Sequence, residues 1–380
     1  MATGPLLARV PLLPTTVVGS YPVPDWMERL KTDYFRGRMS RAQLADLHEM
    51  AIKAALRDQE LAGIDVVSDG ELRRDNDIDY FLARLPGVEI SNPAKDFYFD
   101  YYEATLPRPL SLPDDTPLRL ADDFAFAAAH TSAPIKFSFT GPFSLSRHLR
   151  GDAYANGPEL VFAIARILHA EAVALAHRGA ALLQIDEPFL AGHPDKVAIA
   201  VEAINMVVEG VDVTWALHVC YGNRYARPLW EGHYDFLFPA VLDALVDQLV
   251  LEFARKGYED LPVLAKSGWD RDVGLGVIDV KSTEVEPTGE VADRIRRALE
   301  IVPADRLVIN PDCGLRHVPG PVARAKLAAM VAGTAVVRAE LGSPQPPEQS
   351  AAGSVAPLEP PHSQESAPPT PNQPRKEIHQ

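Results

Sequence analysis

At 380 residues the chain is too long for one small module and fits one large domain or two modest ones. Apolar residues make up 47% and charged residues 23%, an ordinary globular balance that excludes a fibrous or wholly disordered chain. The net charge of -15, from 52 acidic against 37 basic side chains, argues against nucleic acid as a partner. No apolar run approaches the ~20 residues that a bilayer crossing needs, and the proline-broken N-terminus lacks a signal-peptide layout. The expectation is a soluble, cytoplasmic protein with no membrane partner.

Eight short β-branched or apolar runs recur along the chain: Thr15–Gly19, Ile64–Ser68, Ile135–Phe139, Leu182–Ile185, Val213–Leu217, Gln248–Leu251, Val273–Ile278 and Leu307–Asn310. Most are followed by helical periodicity. After the first run, Leu44, Leu47, Ala51, Ala54 and Leu61 fall on one helical face. A long Ala/Leu/Ile helix over 160–177 stops at Arg178-Gly179, and further helices are predicted over 290–300 and 321–340. Eight strands alternating with helices predict the α/β class and a (β/α)8 TIM barrel. The open doubly wound sheet would want a Gly-rich phosphate loop after the first strand, and Gly19-Ser20-Tyr21-Pro22 is not one.

Residues 76–133 break the alternation as an insertion after the second strand. Its aromatics Phe97, Tyr98, Phe99, Tyr101 and Tyr102 suggest a hairpin packed down on the barrel or lying over its mouth. Residues 343–380 are rich in Pro, Ser and Gln with few large apolar side chains. Such a segment cannot bury enough surface to offset its ordering entropy, so it is predicted to be a disordered tail. The catalytic barrel is then placed at 12–342.

In a barrel enzyme the site lies at the C-terminal ends of the strands. Ser20 follows the first run and Thr140-Gly141-Pro142 the third, and ionisable or metal-binding groups follow the other six: Asp69-Gly70-Glu71, Asp186-Glu187, His218-Val219-Cys220, Glu252, Asp279-Val280-Lys281 and Asp312-Cys313. Residues two apart on a strand point the same way, so His218 and Cys220 leave the sheet together. The chain has only two cysteines, and the other, Cys313, also follows a strand. With Glu252 these make four ligands of the number and type that Zn2+ accepts. Two thiolates and an imidazole suit capture of a substrate thiol, because a coordinated thiol is deprotonated whereas a free one, of pKa ~8.5, is mostly not at neutral pH. The reaction class is alkylation of sulfur. Glu71 and Asp186 could hold the ammonium of an amino-acid substrate, and Ser20 with amides near Gly19 its carboxylate.

The segments VVGSYP (17–22), DGE (69–71), FTGP (139–142), QIDEP (184–188), HVC (218–220), LEF (251–253) and NPDCGL (310–315) together resemble the catalytic barrel of cobalamin-independent methionine synthase and its single-barrel relatives. The resemblance implies zinc on His218, Cys220, Glu252 and Cys313, and homocysteine as the thiol. It further implies that Ser20, Glu71 and Asp186 hold the amino-acid moiety. Asp186 and Lys281 are the candidate catalytic residues. Lys281 stands where the folate-using enzyme has a histidine credited with proton delivery, and a lysine of pKa ~10.4 is a poor proton donor near neutrality. The chain is also too short for the second, N-terminal barrel of the full-length enzyme. The methyl donor is therefore left open between methyltetrahydrofolate and a methylcorrinoid.

Two other readings are kept. Epoxyalkane:coenzyme M transferases are similar in their His-x-Cys and distant cysteine, and Lys281, Arg73 and Arg74 could meet a sulfonate. A non-catalytic zinc-stabilised barrel is the third, against which a glutamate ligand argues.

Overall fold

Six strands lie side by side in one parallel sheet: β1 (Lys136–Thr140), β2 (Leu182–Asp186), β3 (Thr214–Val219), β4 (Gln248–Leu251), β5 (Asp272–Ile278) and β6 (Leu307–Pro311). Two extended segments near residues 15–20 and 64–70 close the ring between β6 and β1. They do so through single parallel bridges, Thr15 to Ile309, Thr16 to Val66 and Val67 to Ile135. The result is the predicted eight-stave (β/α)8 barrel. This computed structural model describes residues 10–94, 100–111, 116–151, 153–154 and 158–342. The tail at 343–380 and the aromatics Phe97, Tyr98 and Phe99 lie outside the described residues.

The first two staves are bridges rather than ladders because side chains take over part of their backbone pairing. Gln59 donates from Nε2 to the Ser68 carbonyl at 2.9 Å and accepts from the Ser68 N–H at 2.9 Å. Asp65 accepts from the Thr15 N–H and hydroxyl, both at 2.7 Å. This explains an error of phase in the first predicted helix. Helix α1 (Arg41–Ala62) opens with a Ser40/Gln43 capping box and stops at the left-handed Gly63. Its buried face is His48, Ala51, Ile52, Ala55, Leu56 and Gln59, whereas Ala54 and Leu61 are exposed. Polar Gln59 faces inward because it completes the second stave. An apolar count cannot register that.

The insertion is less of an intrusion than its sequence suggests. Its later part is helix α2 (Leu120–Ala128), which packs against α3 (Glu159–His177) in the outer ring. The hairpin is minimal: Glu89–Ile90 pairs antiparallel with Ala104–Thr105, which runs parallel to Leu149–Arg150. Between β3 and β4 the crossover uses two 3-10 turns, Tyr234–Leu237 and Ala240–Asp243.

Helices α3 and α6 (Gly320–Glu340) are long and apolar enough, by length and composition, to cross a membrane, which corrects the reading that no run came close. Both pack in the ring: α3 against α4 (Val197–Val208), and α6 against α5 (Thr288–Leu299) and α1. Their apolar faces, Ile164, Ile167 and Leu168 on α3 and Leu327, Met330 and Val337 on α6, are buried there.

Glu187, just past β2, braces the turn after β1. Its carboxyl accepts from the Phe143 and Ser144 N–H groups at 3.1 and 2.8 Å and meets the Ser144 hydroxyl at 2.6 Å. Burial raises its pKa from 4.5 to about 7, against the opposing pull of those donors. The folded state thus binds this proton more tightly than the unfolded chain, so the contribution to stability is fully present below pH 4.5 and lost as pH rises towards about 7. Glu187→Gln cannot ionise and is expected to flatten this slope. Urea melts of both proteins between pH 5 and 8 measure it, and parallel pH profiles would refute it.

Candidate functional site

Three of the four residues expected to bind metal come together. One ligand atom from each of His218, Cys220 and Cys313 lies within 4.8 Å of the others. β3 runs two residues beyond its predicted end, so His218 sits on the strand and Cys220 just past it. Cys313 follows β6 in the next-but-two stave, and the two Sγ atoms stand 3.4 Å apart as free thiols. That is far beyond the ~2.05 Å of a disulfide. It is compatible with two sulfurs on one ion through bonds of ~2.3 Å.

The imidazole is oriented by β4. His218 Nδ1 donates to the Val250 carbonyl at 3.1 Å, which puts the proton on that nitrogen, while buried Nε2 has no hydrogen-bond partner among the described residues. A buried lone pair aimed at two thiols is a donor set that fits zinc, with the second-shell carbonyl such histidines use. Hydrogen bonding with Cys220, then burial, push the Cys313 thiol well above its ordinary pKa.

Glu252 is not in the cluster. It is fully buried after β4, with Oε1 accepting from Arg255 Nε at 2.7 Å and Oε2 from Lys281 Nζ at 2.9 Å. Burial alone would lower the Lys281 pKa, but the Glu252 charge outweighs it and raises it. Lys281 is therefore a committed cation. Asp312, noted at its strand end without a role, and Tyr234, which no strand-end pattern marks, hold these strand ends in place. Asp312 accepts from the N–H groups of Phe253, Ala254 and Arg255 at 2.7–2.9 Å, locking the loop after Glu252 to the one carrying Cys313. The Tyr234 hydroxyl donates to the Val219 carbonyl and accepts from the Glu252 N–H, both at 2.9 Å.

A cleft at this end of the barrel is lined by Ser20, Glu71, Asp77, Cys220, Cys313 and Arg316, among others. Glu71 holds a left-handed backbone, φ 56°, rare for a residue with a side chain. Its Oε1 accepts from the Ser138 hydroxyl at 2.7 Å and faces Arg74 at 3.3 Å, and its Oε2 faces Arg316 at 3.4 Å. Burial pushes its pKa up, but Arg74 and Arg316 prevail and hold it below the ordinary value. Gly19 makes room for this carboxylate: a Cβ there would lie 2.3 Å from Glu71 Oε1. Gly314 does the same for the Ser20 hydroxyl, 2.0 Å from where its Cβ would stand.

Asp186, the last residue of β2, pairs in register with His218 and accepts from Gln184 Nε2 at 2.6 Å, beside the cleft rather than on its wall. Burial raises its pKa to about 7. The insertion reaches the mouth through Asp77 and Tyr101, whose ring packs on His148 at 4.4 Å and under Arg224 at 4.8 Å. Neither Asp77 nor Arg316 figures among the predicted site residues: Asp77 lies in the insertion, and Arg316 three residues past Cys313, just beyond the NPDCGL segment. The basic residues weighed for a sulfonate are already paired: Arg73 with Asp123 at 2.9 Å, Arg74 with Glu71 and Lys281 with Glu252.

Residues 13–335 match the family model described as cobalamin-independent synthase, catalytic domain. The chain is 36% identical over 336 residues to a methionine synthase of Saccharolobus solfataricus, covering 88% of this chain and 98% of that protein. A methionine synthase of Sulfurisphaera tokodaii is 34% identical over 333 residues, covering 87% and 94%. Among solved structures it is similar to the B12-independent methionine synthase from Shewanella sp. W3-18-1 in complex with selenomethionine, at TM-score 0.76 and 30% identity over 87% of this chain and 99% of that one. A Listeria monocytogenes structure shares the fold at TM-score 0.67 and 20% identity, covering 86% and 99%. With the family model spanning nearly the whole barrel and the sulfur–imidazole cluster at its mouth, the chain belongs to the cobalamin-independent methionine synthase family.

Proposed function

We propose that the protein is a zinc-dependent methyltransferase that moves a methyl group to the thiol of homocysteine, giving methionine, with methyltetrahydrofolate or a methylcorrinoid as donor. The observation that carries this reading is the convergence of His218, Cys220 and Cys313 beside the cleft that Ser20 and Glu71 line. Zinc, when bound by these residues, supplies a positive centre that keeps a thiol anionic at neutral pH. The chain's own groups do the rest. Glu71, kept ionised by its two arginines, and Asp186 attract the substrate ammonium, while Ser20 and the backbone at Gly19 receive the carboxylate. Burial of Cys220 and His218 shields these two ligand side chains from water.

The selenomethionine complex of the Shewanella relative supports an amino-acid thioether as product. Transfer to coenzyme M would need cations free to meet a sulfonate, and Arg73, Arg74 and Lys281 are each engaged by a carboxylate. The opening of the cleft onto both sulfurs favours catalysis over a closed structural zinc site. The test supplies the zinc-loaded protein with homocysteine and either methylcobalamin or methyltetrahydrofolate. Methionine is expected from one of the two, and zinc-loaded protein that forms none from either would overturn the proposal.

A further inference from the structure

Glu252 is the expected ligand that stays out of the sulfur–imidazole cluster, and two cations account for where it goes. Lys281 takes one carboxylate oxygen at 2.9 Å and Arg255 the other at 2.7 Å. The Glu252 and Lys281 side chains are 0% and 4% exposed, so solvent screens their attraction little. The arrangement is braced on every side. Arg255 is held by both oxygens of Glu231 at 2.9 and 3.0 Å, and its N–H by Asp312 at 2.8 Å. The Lys281 N–H donates to Asp279 at 2.8 Å, fixing the turn from which the ammonium reaches across.

We propose that Lys281 and Arg255 act as a clasp that weakens Glu252 as a metal ligand and so keeps the fourth coordination position open to the incoming thiol. The inference rests on the zinc reading above. A carboxylate oxygen that accepts from a buried cation has less electron density to give a metal. An ion drawing on Glu252 would also compete with two cations for its oxygens, one of them almost fully buried. Lys281 lines no part of the cleft. It is a positioning residue that acts through Glu252, which gives the lysine in place of the family histidine a task other than proton delivery.

Lys281→Met leaves Oε2 with the long 3.4 Å bond from the Tyr221 N–H and no cation, so zinc is expected to bind about tenfold tighter and homocysteine about tenfold weaker, the size usual for changes around a metal's first ligands. Lys281→Arg should restore both. On the full-length protein, competition with a chromophoric chelator gives the zinc affinity. Titration of the cobalt(II)-substituted protein with homocysteine, followed by thiolate-to-cobalt absorption, gives the thiol affinity. Arg255→Gln, at a site 19% exposed, should shift both in the same direction and decides the matter should Lys281→Met not fold. Unchanged affinities, or weaker zinc binding, in the folded variant would overturn the clasp. A wild-type protein that takes up neither zinc nor cobalt would instead overturn the metal reading, so the two failures are distinguishable.

Discussion

Cys220→Ser and Cys313→Ser are each expected to lose most of the bound zinc while the barrel stays folded. A serine hydroxyl keeps its proton at neutral pH and supplies no anionic ligand, so His218 and one thiolate would remain, with Glu252 held away by Lys281 and Arg255. We expect zinc affinity to fall by at least about 100-fold, the upper end of what removing even an outer-shell partner costs. Fold is insulated from this loss because the main apolar core is carried by the staves and helices, in which Phe137, Ile185 and Leu217 are fully buried. Zinc content after dialysis, measured beside thermal melts, reads both halves of the claim. Full zinc occupancy in both variants would remove the metal centre from the account, and joint loss of metal and fold would make it structural.

The second large effect is at Glu71. Two guanidinium groups, Arg74 and Arg316, lie buried against it with side chains 3% and 8% exposed. Glu71→Ala removes the anion the two share, a change expected to cost up to about 3–5 kcal/mol of stability. Arg74 keeps its bond to the Ser138 carbonyl at 2.7 Å, and Arg316 its bond to the Arg74 carbonyl at 2.8 Å. These bonds, with the Asp69 charge beside Arg74 and Asp77 beside Arg316, soften the loss. Glu71→Gln keeps the volume and an acceptor for Ser138, so its fold should survive and isolate function. If Glu71 holds the substrate ammonium, KM for homocysteine should rise about tenfold or more, the worth of one hydrogen bond to a charged group. Urea melts and steady-state kinetics measure the two effects. An Ala variant as stable as the wild type would contradict the buried-ion argument, and an unchanged KM in the Gln variant would free Glu71 from the binding role.

How much of this was legible before folding differs from element to element. The staves β1 to β6 could be read because each is a short run dominated by apolar or β-branched residues, even though Lys136, Ser138, Gln184 and Gln248 are buried among them. The first two staves could be placed but not their thinness, since Gln59 and Asp65 complete them from outside any strand pattern. Likewise the periodicity marks α1 as a helix, but its inward phase follows the contacts of Gln59 with Ser68 as well as its apolar residues.

At the site, the residue types and their strand-end positions were already fixed by the order of the chain. His218 and Cys220 had to be neighbours, because side chains two apart on a strand share a side. The union of Cys220 with Cys313, 93 residues away, required barrel closure. What Glu252 and Lys281 do was decided by tertiary structure alone. A carboxylate's role depends on which charges lie within a few ångströms of it, and those charges arrive from strand ends that the linear chain keeps apart.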